Sequence, residues 1–355
     1  MSGSKLRPYL LVLAAATFFG ASFPLSKLLL GHVGPVGLAG LLYLGSGLGV
    51  GALRLLIRGG SGRKEAPLKK SDLGWLLGVI LSGGVGGPIL LLLGLTRTTA
   101  HVSALLANTE TLFTMALAIA FFGDFLVRRE ALGALAILVG ATIVAWAGAQ
   151  QSGTLSWQGP LLLLGAGLAW GLDNNFSQRI SAKDPHQIAA IKGVAAGLVN
   201  LALAWGTEGL PGFSPTTLGS SLGIGFVCYG LSVVLFMTAL RHLGAARTSA
   251  LFATAPGIAI ALSWALLGEV PSLWTAAGAA FMIPGVWLLI RVEHSHSHVH
   301  APIEHEHRHV HDEHHRHEHR GDEGPEPHSH PHVHQQLEHE HPHVADLHHR
   351  HLHPP

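Results

Sequence analysis

The chain has 355 residues, of which 48% are hydrophobic and only 12% charged, with 45 glycines and a mean hydropathy of +0.38. That balance is too apolar and too glycine-rich for a water-soluble domain and points to an integral membrane protein. The formal charge of +1 hides an uneven split, because 12 of the 21 acidic residues and 23 of the 27 histidines lie at or beyond Glu293. An apolar body is therefore followed by a His-rich tail. The lone cysteine, Cys228, excludes an intramolecular disulfide. No G-x-x-x-x-G-K-[ST] loop and no soluble catalytic domain occur, so neither an enzyme nor an ATP-driven pump is expected.

A helix needs roughly 17 to 25 apolar residues to cross about 30 Å of hydrocarbon. Ten such runs follow one another: 8 to 30, 36 to 57, 73 to 95, 102 to 122, 131 to 149, 159 to 179, 187 to 206, 218 to 240, 248 to 267 and 273 to 291. The first, behind Lys5 and Arg7, continues past Pro24 to Leu30, so it reads as a retained span and not a cleaved leader. Lys and Arg alternate between the connections. Arg58, Arg63, Lys64, Lys69, Lys70, Arg128, Arg129, Lys183, Arg241, Arg247 and Arg291 fall on the same side as Lys5 and Arg7, while only Arg97 breaks the pattern on the other. By the positive-inside bias the expected location is the inner (plasma) membrane, with both termini cytoplasmic.

The body repeats itself. SALLANTE at Ser103 returns as SALFATAP at Ser249, and both segments close on Gly followed by an acid, Gly123–Asp124 and Gly268–Glu269. At an offset of 145, Ala131, Gly133, Ala134 and Gly140 match Ala276, Gly278, Ala279 and Gly285. Leu73, Gly74, Leu77 and Gly78 likewise match Leu218, Gly219, Leu222 and Gly223, and Phe19–Gly20 is echoed by Trp170–Gly171. Five spans per half is an odd number, so the second half must enter the membrane inverted, as in secondary transporters. The expected fold is thus all-α, ten transmembrane helices in two inverted five-helix repeats, 1–150 and 151–292, followed by a disordered tail, 293–355.

These features together resemble the EamA-type drug/metabolite transporters: the 5+5 count, the Phe-Gly and Trp-Gly openings of spans 1 and 6, and the SALL and SALF…LLGE segments of spans 4 and 9. The resemblance implies a bundle in which spans 1, 3, 4, 6, 8 and 9 line a central cavity, and export or exchange of small metabolites. It also implies proline in spans 4 and 9. Pro256 holds the second of those places and Glu110 takes the first. Pro24 and Pro88, in spans 1 and 3, are further candidate helix breaks. The SGGVGGP run from Ser82 to Pro88 reads either as tight helix packing or as a hinge with open carbonyls, and Gly47 with Gly51 reads as a packing face.

Polar groups at membrane depth are the functional candidates, since a lipid-facing carboxylate costs a few kcal/mol. Glu110 lies about 12 Å into its span at 1.5 Å per residue. A carboxyl drawn out of water favours its neutral form, so Glu110 is the candidate proton carrier. The structural alternative is an acid holding two helices together through Asn108, Thr109 or Thr111. Asp173, Asn174 and Asn175, about 21 Å along span 6, offer oxygen ligands for a hard cation or hydrogen bonds for a polar metabolite. An inter-helix clamp is the competing reading. Lys27 either snorkels to the interface or serves as counter-charge to Glu110. His32, His101, His186 and His242 fall at span ends, where a solvated role is expected.

In the tail, His294, His296, His298, His300, His305, His307, His309, His311, His314, His315, His317 and His319 form HxH runs suited to Zn, Ni, Co or Cu. The reading that results is a secondary transporter, an exporter with possible proton coupling, of a small metabolite, whose cytoplasmic tail binds transition metal. Divalent metal (Ni, Co, Zn) efflux is one alternative, and a metal-sensing or metal-storage membrane protein a second. The expected partners are the lipid bilayer and a small-molecule or ion substrate. No cofactor is required, nothing points to nucleic acid, and a homodimer is compatible with the chain.

Overall fold

The structure, a computed structural model, describes residues 3–58, 68–122, 128–150, 155–181, 183–209, 214–243, 245–290, 294–300, 303–309, 328–334 and 337–343. The body is helical: α1 (Gly3–Leu29), α2 (Pro35–Arg58), α3 (Leu73–Val79), α4 (Gly87–Leu95), α5 (Ala100–Ala107), α6 (Thr109–Phe122) and α7 (Arg128–Ala149). There follow α8 (Gln158–Arg179), α9 (Pro185–Glu208), α10 (Pro215–Ile224), α11 (Ser232–Leu243), α12 (Ala245–Phe252), α13 (Ala255–Leu267) and α14 (Leu273–Ile290). The near face of the bundle is taken as the one where α1 begins.

Seven of these rods are long and apolar enough to cross a membrane: Leu6–Leu29, Pro35–Leu56, Lys70–Leu95, Ala100–Phe121, Arg128–Ala149, Pro185–Glu208 and Pro215–Ala239. The chain is a multi-pass membrane protein. The other three expected spans differ for identifiable reasons. α8 has the length but carries Asp173, Asn174 and Asn175, while α13 and α14 are shorter apolar helices.

Four rods are interrupted midway. A π-helical segment, Ile80–Gly86, joins α3 to α4, and a second, Gly225–Leu231, joins α10 to α11, so the two begin 145 residues apart. α5 gives way to α6 at Asn108, and α12 to α13 at Ala253 and Thr254. Glycine-rich sequence holds the α-helical ladder weakly, which lets the wider turn form. Pro88 and Pro256 each sit in the first turn after an interruption, as helix-start prolines do. Pro24 does not break its helix: α1 runs unbroken through it from Gly3 to Leu29, which a packed membrane helix tolerates because neighbours take up the freed backbone groups.

Two antiparallel helix pairs rely on backbone approach. Between α2 and α9, a Cβ on Gly193 would lie 2.5 Å from Gly47 Cα, and one on Gly197 would lie 2.7 Å from Leu44 N. Between α7 and α14, a Cβ on Gly140 would lie 2.6 Å from Gly278 O, and one on Gly285 would lie 2.9 Å from Gly133 O. Small residues permit such contact where lipid supplies no hydrophobic drive to association. Gly51 is not part of the seam, its nearest neighbour being Ala190 Cβ at 3.8 Å. Polar ties finish the ends. Glu208 accepts from Val36 N and Gly37 N at the start of α2, and Asp184 caps α9 while accepting from Arg54.

In the tail, β1 (His294–His300) pairs antiparallel with β4 (Leu337–His343), and β2 (Ile303–His309) with β3 (His328–His334). These segments are extended and paired where a disordered tail was expected, because His-X-His alternation has the two-residue period of a strand. His311, His314, His315, His317 and His319 lie outside the described residues.

Candidate functional site

The first π segment is where polar groups converge. The Gly83 carbonyl accepts from Tyr43 Oη (2.6 Å) and Trp170 Nε1 (3.2 Å), and the Gly84 carbonyl from Asn200 Nδ2 (3.0 Å). Donors from α2, α8 and α9 thus satisfy backbone groups that lipid could not. Gly83 also seats Asp173, since a Cβ there would meet the Asp173 Cγ at 2.1 Å. Lys192 Nζ donates to Asp173 Oδ2 at 2.5 Å, with the two side chains 20% and 10% exposed. The candidate hinge is therefore a seat for α8 side chains, and Gly87 does the same for the Trp170 indole.

Glu110 stands beside this pair, in the first turn of α6 immediately after the Asn108 break. It lies within hydrogen-bonding reach of the Asn174 carboxamide and interacts electrostatically with Asp173 and Lys192. A helix start is a favourable place for an acid, because the unpaired N–H groups carry partial positive charge. Glu110 and Pro256 hold equivalent places, the second residue of α6 and of α13. Both copies are therefore interrupted, one with proline and one without.

The remaining candidates separate into binding and structural groups. Asn174 donates to Thr114 Oγ1 (3.1 Å) and is exposed. Asn175 is buried and donates to the Thr114 and Gly171 carbonyls, a clamp between α6 and α8. Asn108 donates back to Ala104 O and closes the end of α5. Gly171 accommodates Phe113, where a Cβ would be 2.8 Å from Phe113 Cβ, and Gly20 accommodates the Ala255 carbonyl in the same way. The two echoed motifs thus dock α8 on α6 and α1 on α13.

Two expectations are corrected. Lys27 is not the counter-charge of Glu110: its Nζ donates to the Leu95 and Thr98 carbonyls at the far end of α4, where a cation complements the helix dipole, and the acid it senses is Glu269. His101 is not solvated. It is 1% exposed, with Nε2 3.1 Å from Thr99 Oγ1 and Nδ1 3.4 Å from Glu269 Oε2. Sequence reasoning passed over Lys192, although a single cation in the apolar run of α9 was the signal for it. It also passed over the aromatic wall in which Tyr229 lies 6.0 Å from Tyr43 and 6.5 Å from Phe19, and Phe19 5.5 Å from Phe252. Among the described residues, no three His, Cys, Asp or Glu side chains come together as a metal site.

A helical membrane body that gathers an ion pair, a further carboxylate and an aromatic wall beside its interrupted rods defines a membrane transport protein. The chain belongs to the EamA-like transporter family, which it matches over residues 6–146 and again over 157–291. It is 29% identical over 300 residues to an uncharacterized transporter of Methanothermobacter thermautotrophicus, covering 80% of this chain and 86% of the relative. It is also 25% identical over 288 residues to the uncharacterized transporter YyaM of Bacillus subtilis, covering 79% and 92%. Identity is 24% over 290 residues, covering 78% and 93%, with a probable amino-acid metabolite efflux pump of Salmonella typhimurium. A solved crystal structure has the same fold, with a TM-score of 0.52 at 18% identity over 79% of this chain and 95% of its own.

Proposed function

We propose that this chain is a secondary transporter of ten crossings, built from two inverted five-helix halves, that exports a small metabolite of the amino-acid class. The reading rests above all on the convergence of Asp173, Lys192 and Glu110, from three helices, at the level where the first π segment and the α5/α6 break interrupt their rods. Such a set can recognise an ammonium through Glu110 and a carboxylate through Lys192, with Asn174 and Thr114 as further hydrogen-bonding groups. The Tyr43, Tyr229 and Phe19 rings supply an apolar wall for the rest of the substrate. The Salmonella relative's name supports the same substrate class. Glu110 carries the coupling proton, because among the described residues no cation pairs with it directly as Lys192 does with Asp173. The two interrupted helix pairs, 145 residues apart, and the doubled family match support the inverted repeat.

By the Lys/Arg distribution, the near face is cytoplasmic, in the inner membrane, and the tail lies on that side. There the tail binds transition metal as a buffer or sensor. The register sets His294 opposite His343, His296 opposite His341 and His305 opposite His332, a backbone placement that supports shared imidazole ligation.

The test is flux in proteoliposomes. Amino-acid efflux should respond to an imposed pH gradient in the parent protein, and Glu110→Gln should abolish that response while substrate exchange persists with a raised KM. Unchanged proton dependence in Glu110→Gln removes Glu110 from coupling, and metal flux with no organic flux overturns the substrate class.

A further inference from the structure

The far face holds a second charged cluster that the substrate site does not use. Lys27 comes from α1, His101 from the first turn of α5, and Glu269 from the residue after the Gly268 turn that ends α13. Gly268, at φ +67°, is the reason Glu269 points back into the bundle. A left-handed turn needs glycine, and it lets Gly268 N bond Trp264 O and Glu269 N bond Ser263 O. Glu269 Oε2 then accepts from Ala100 N at 2.7 Å and faces His101 Nδ1 at 3.4 Å. Lys27 bonds the Leu95 and Thr98 carbonyls and senses Glu269. The cluster explains the second copy of the Gly-acid motif. Its partner Asp124 lies outside the described residues.

These ties cross between the two halves of the chain at its far face. α5, on the far side of the Asn108 break, packs against α1, α4 and α13. α6, on the near side, packs against α8 and α7, and no comparable packing joins it to α1 or α12 among the described residues. An export pathway closed at the far mouth must separate α13 from α5 and α1 to release its substrate.

We propose that Lys27, His101 and Glu269 form a latch that holds the far mouth shut, and that parting Glu269 from its two first-half partners is the gating step of transport. This rests on the transport reading. Lys27 is held on the Leu95 and Thr98 carbonyls, and among the described residues Glu269 is the charged group that faces His101. α4 and α14 carry none among the described residues, while Arg128, Arg129 and Glu130 of α7 and Asp173 and Arg179 of α8 lie toward the near ends of their helices, and Arg97 packs along Gly159.

Pulsed electron–electron distance measurements on the full chain in lipid nanodiscs test this. Spin labels go at His32→Cys and Val270→Cys, two exposed positions at the far ends of α1 and α13, with Cys228→Ser as background. Glu269→Gln should raise the ratio of long to short distances about tenfold, which corresponds to ~1.4 kcal/mol, and Lys27→Met should shift it in the same direction. His101→Leu, which removes the imidazole that faces Glu269, should shift it likewise. Glu269→Gln distances that superimpose on the parent's overturn the latch, and so do Lys27→Met and His101→Leu distances that both superimpose on it. Distance changes as expected, without amino-acid flux in the parent, keep the latch and remove the transport reading.

Discussion

Replacing Gly83 by alanine tests the core of the site with a single methyl group. The new Cβ would stand 2.1 Å from Asp173 Cγ, whereas ordinary contact begins near 3.4 Å. Asp173 must therefore retreat by about 1.3 Å, which carries its oxygen out of reach of Lys192, now 2.5 Å away. Overpacking costs about 1–3 kcal/mol, and breaking a buried ion pair about 3–5 kcal/mol. The pair here is partly exposed, so the expected loss is about 2–3 kcal/mol. Thermal unfolding in detergent should show a midpoint several degrees lower, with substrate binding weakened in parallel. Gly219→Ala is the control, because no atom lies within 4 Å of its Cβ position and alanine favours a helix by up to about 1 kcal/mol. The decisive measurement is a double-mutant cycle. In an Asp173→Ala background, Gly83→Ala should cost little. Equal cost in both backgrounds, or no cost in the parent, would refute the seat.

Gly193→Val drives a branched side chain into Gly47 Cα and should separate α2 from α9, with loss of folded protein on size-exclusion chromatography; Gly206→Val, in open space on the same helix, should be neutral. At the near face, burial alone would raise the Asp184 carboxyl, but hydrogen bonds from His186, Arg54 and Gln187 and the Arg54 charge outweigh it and hold it well below the usual carboxylate range. A depressed folded-state value contributes stability that is present above the unfolded value of about 3.9 and lost as pH falls from there. Unfolding measured from pH 7 down to pH 3 should show that acid-side loss in the parent and a smaller one in Asp184→Asn, whose stability at pH 7 should already be lower.

The duplication was legible partly because repeated glycines in the last span of each half, Gly133 with Gly278 and Gly140 with Gly285, are those the α7/α14 seam requires, and Glu110 and Asp173 stood out as charges in apolar runs. What escaped was relational. Lys27 sits in span 1 at a depth compatible with either Glu110 or the far end of α4, and only packing decides for the carbonyls of Leu95 and Thr98. His101 reads as a span-end residue, yet Glu269 arrives from 168 positions later to cover it. The break at Asn108 needs no proline, because the asparagine closes α5 with its own side chain. Three expected spans are less regular than their apolar lengths suggest, since α8 trades hydropathy for the polar groups of the site.

The interruptions in α3/α4, α5/α6, α10/α11 and α12/α13 all fall midway along their rods, while α2, α7, α9 and α14 are continuous and locked by glycine seams. Mechanically this sorts the bundle into posts and levers. A rod bent at its middle moves its two ends in opposite senses, and here the fulcrum of the first two levers lies at the level of Glu110 and Gly83. The substrate would then rest at the pivot, where displacement is least, while the mouths above and below it swing through the largest arcs.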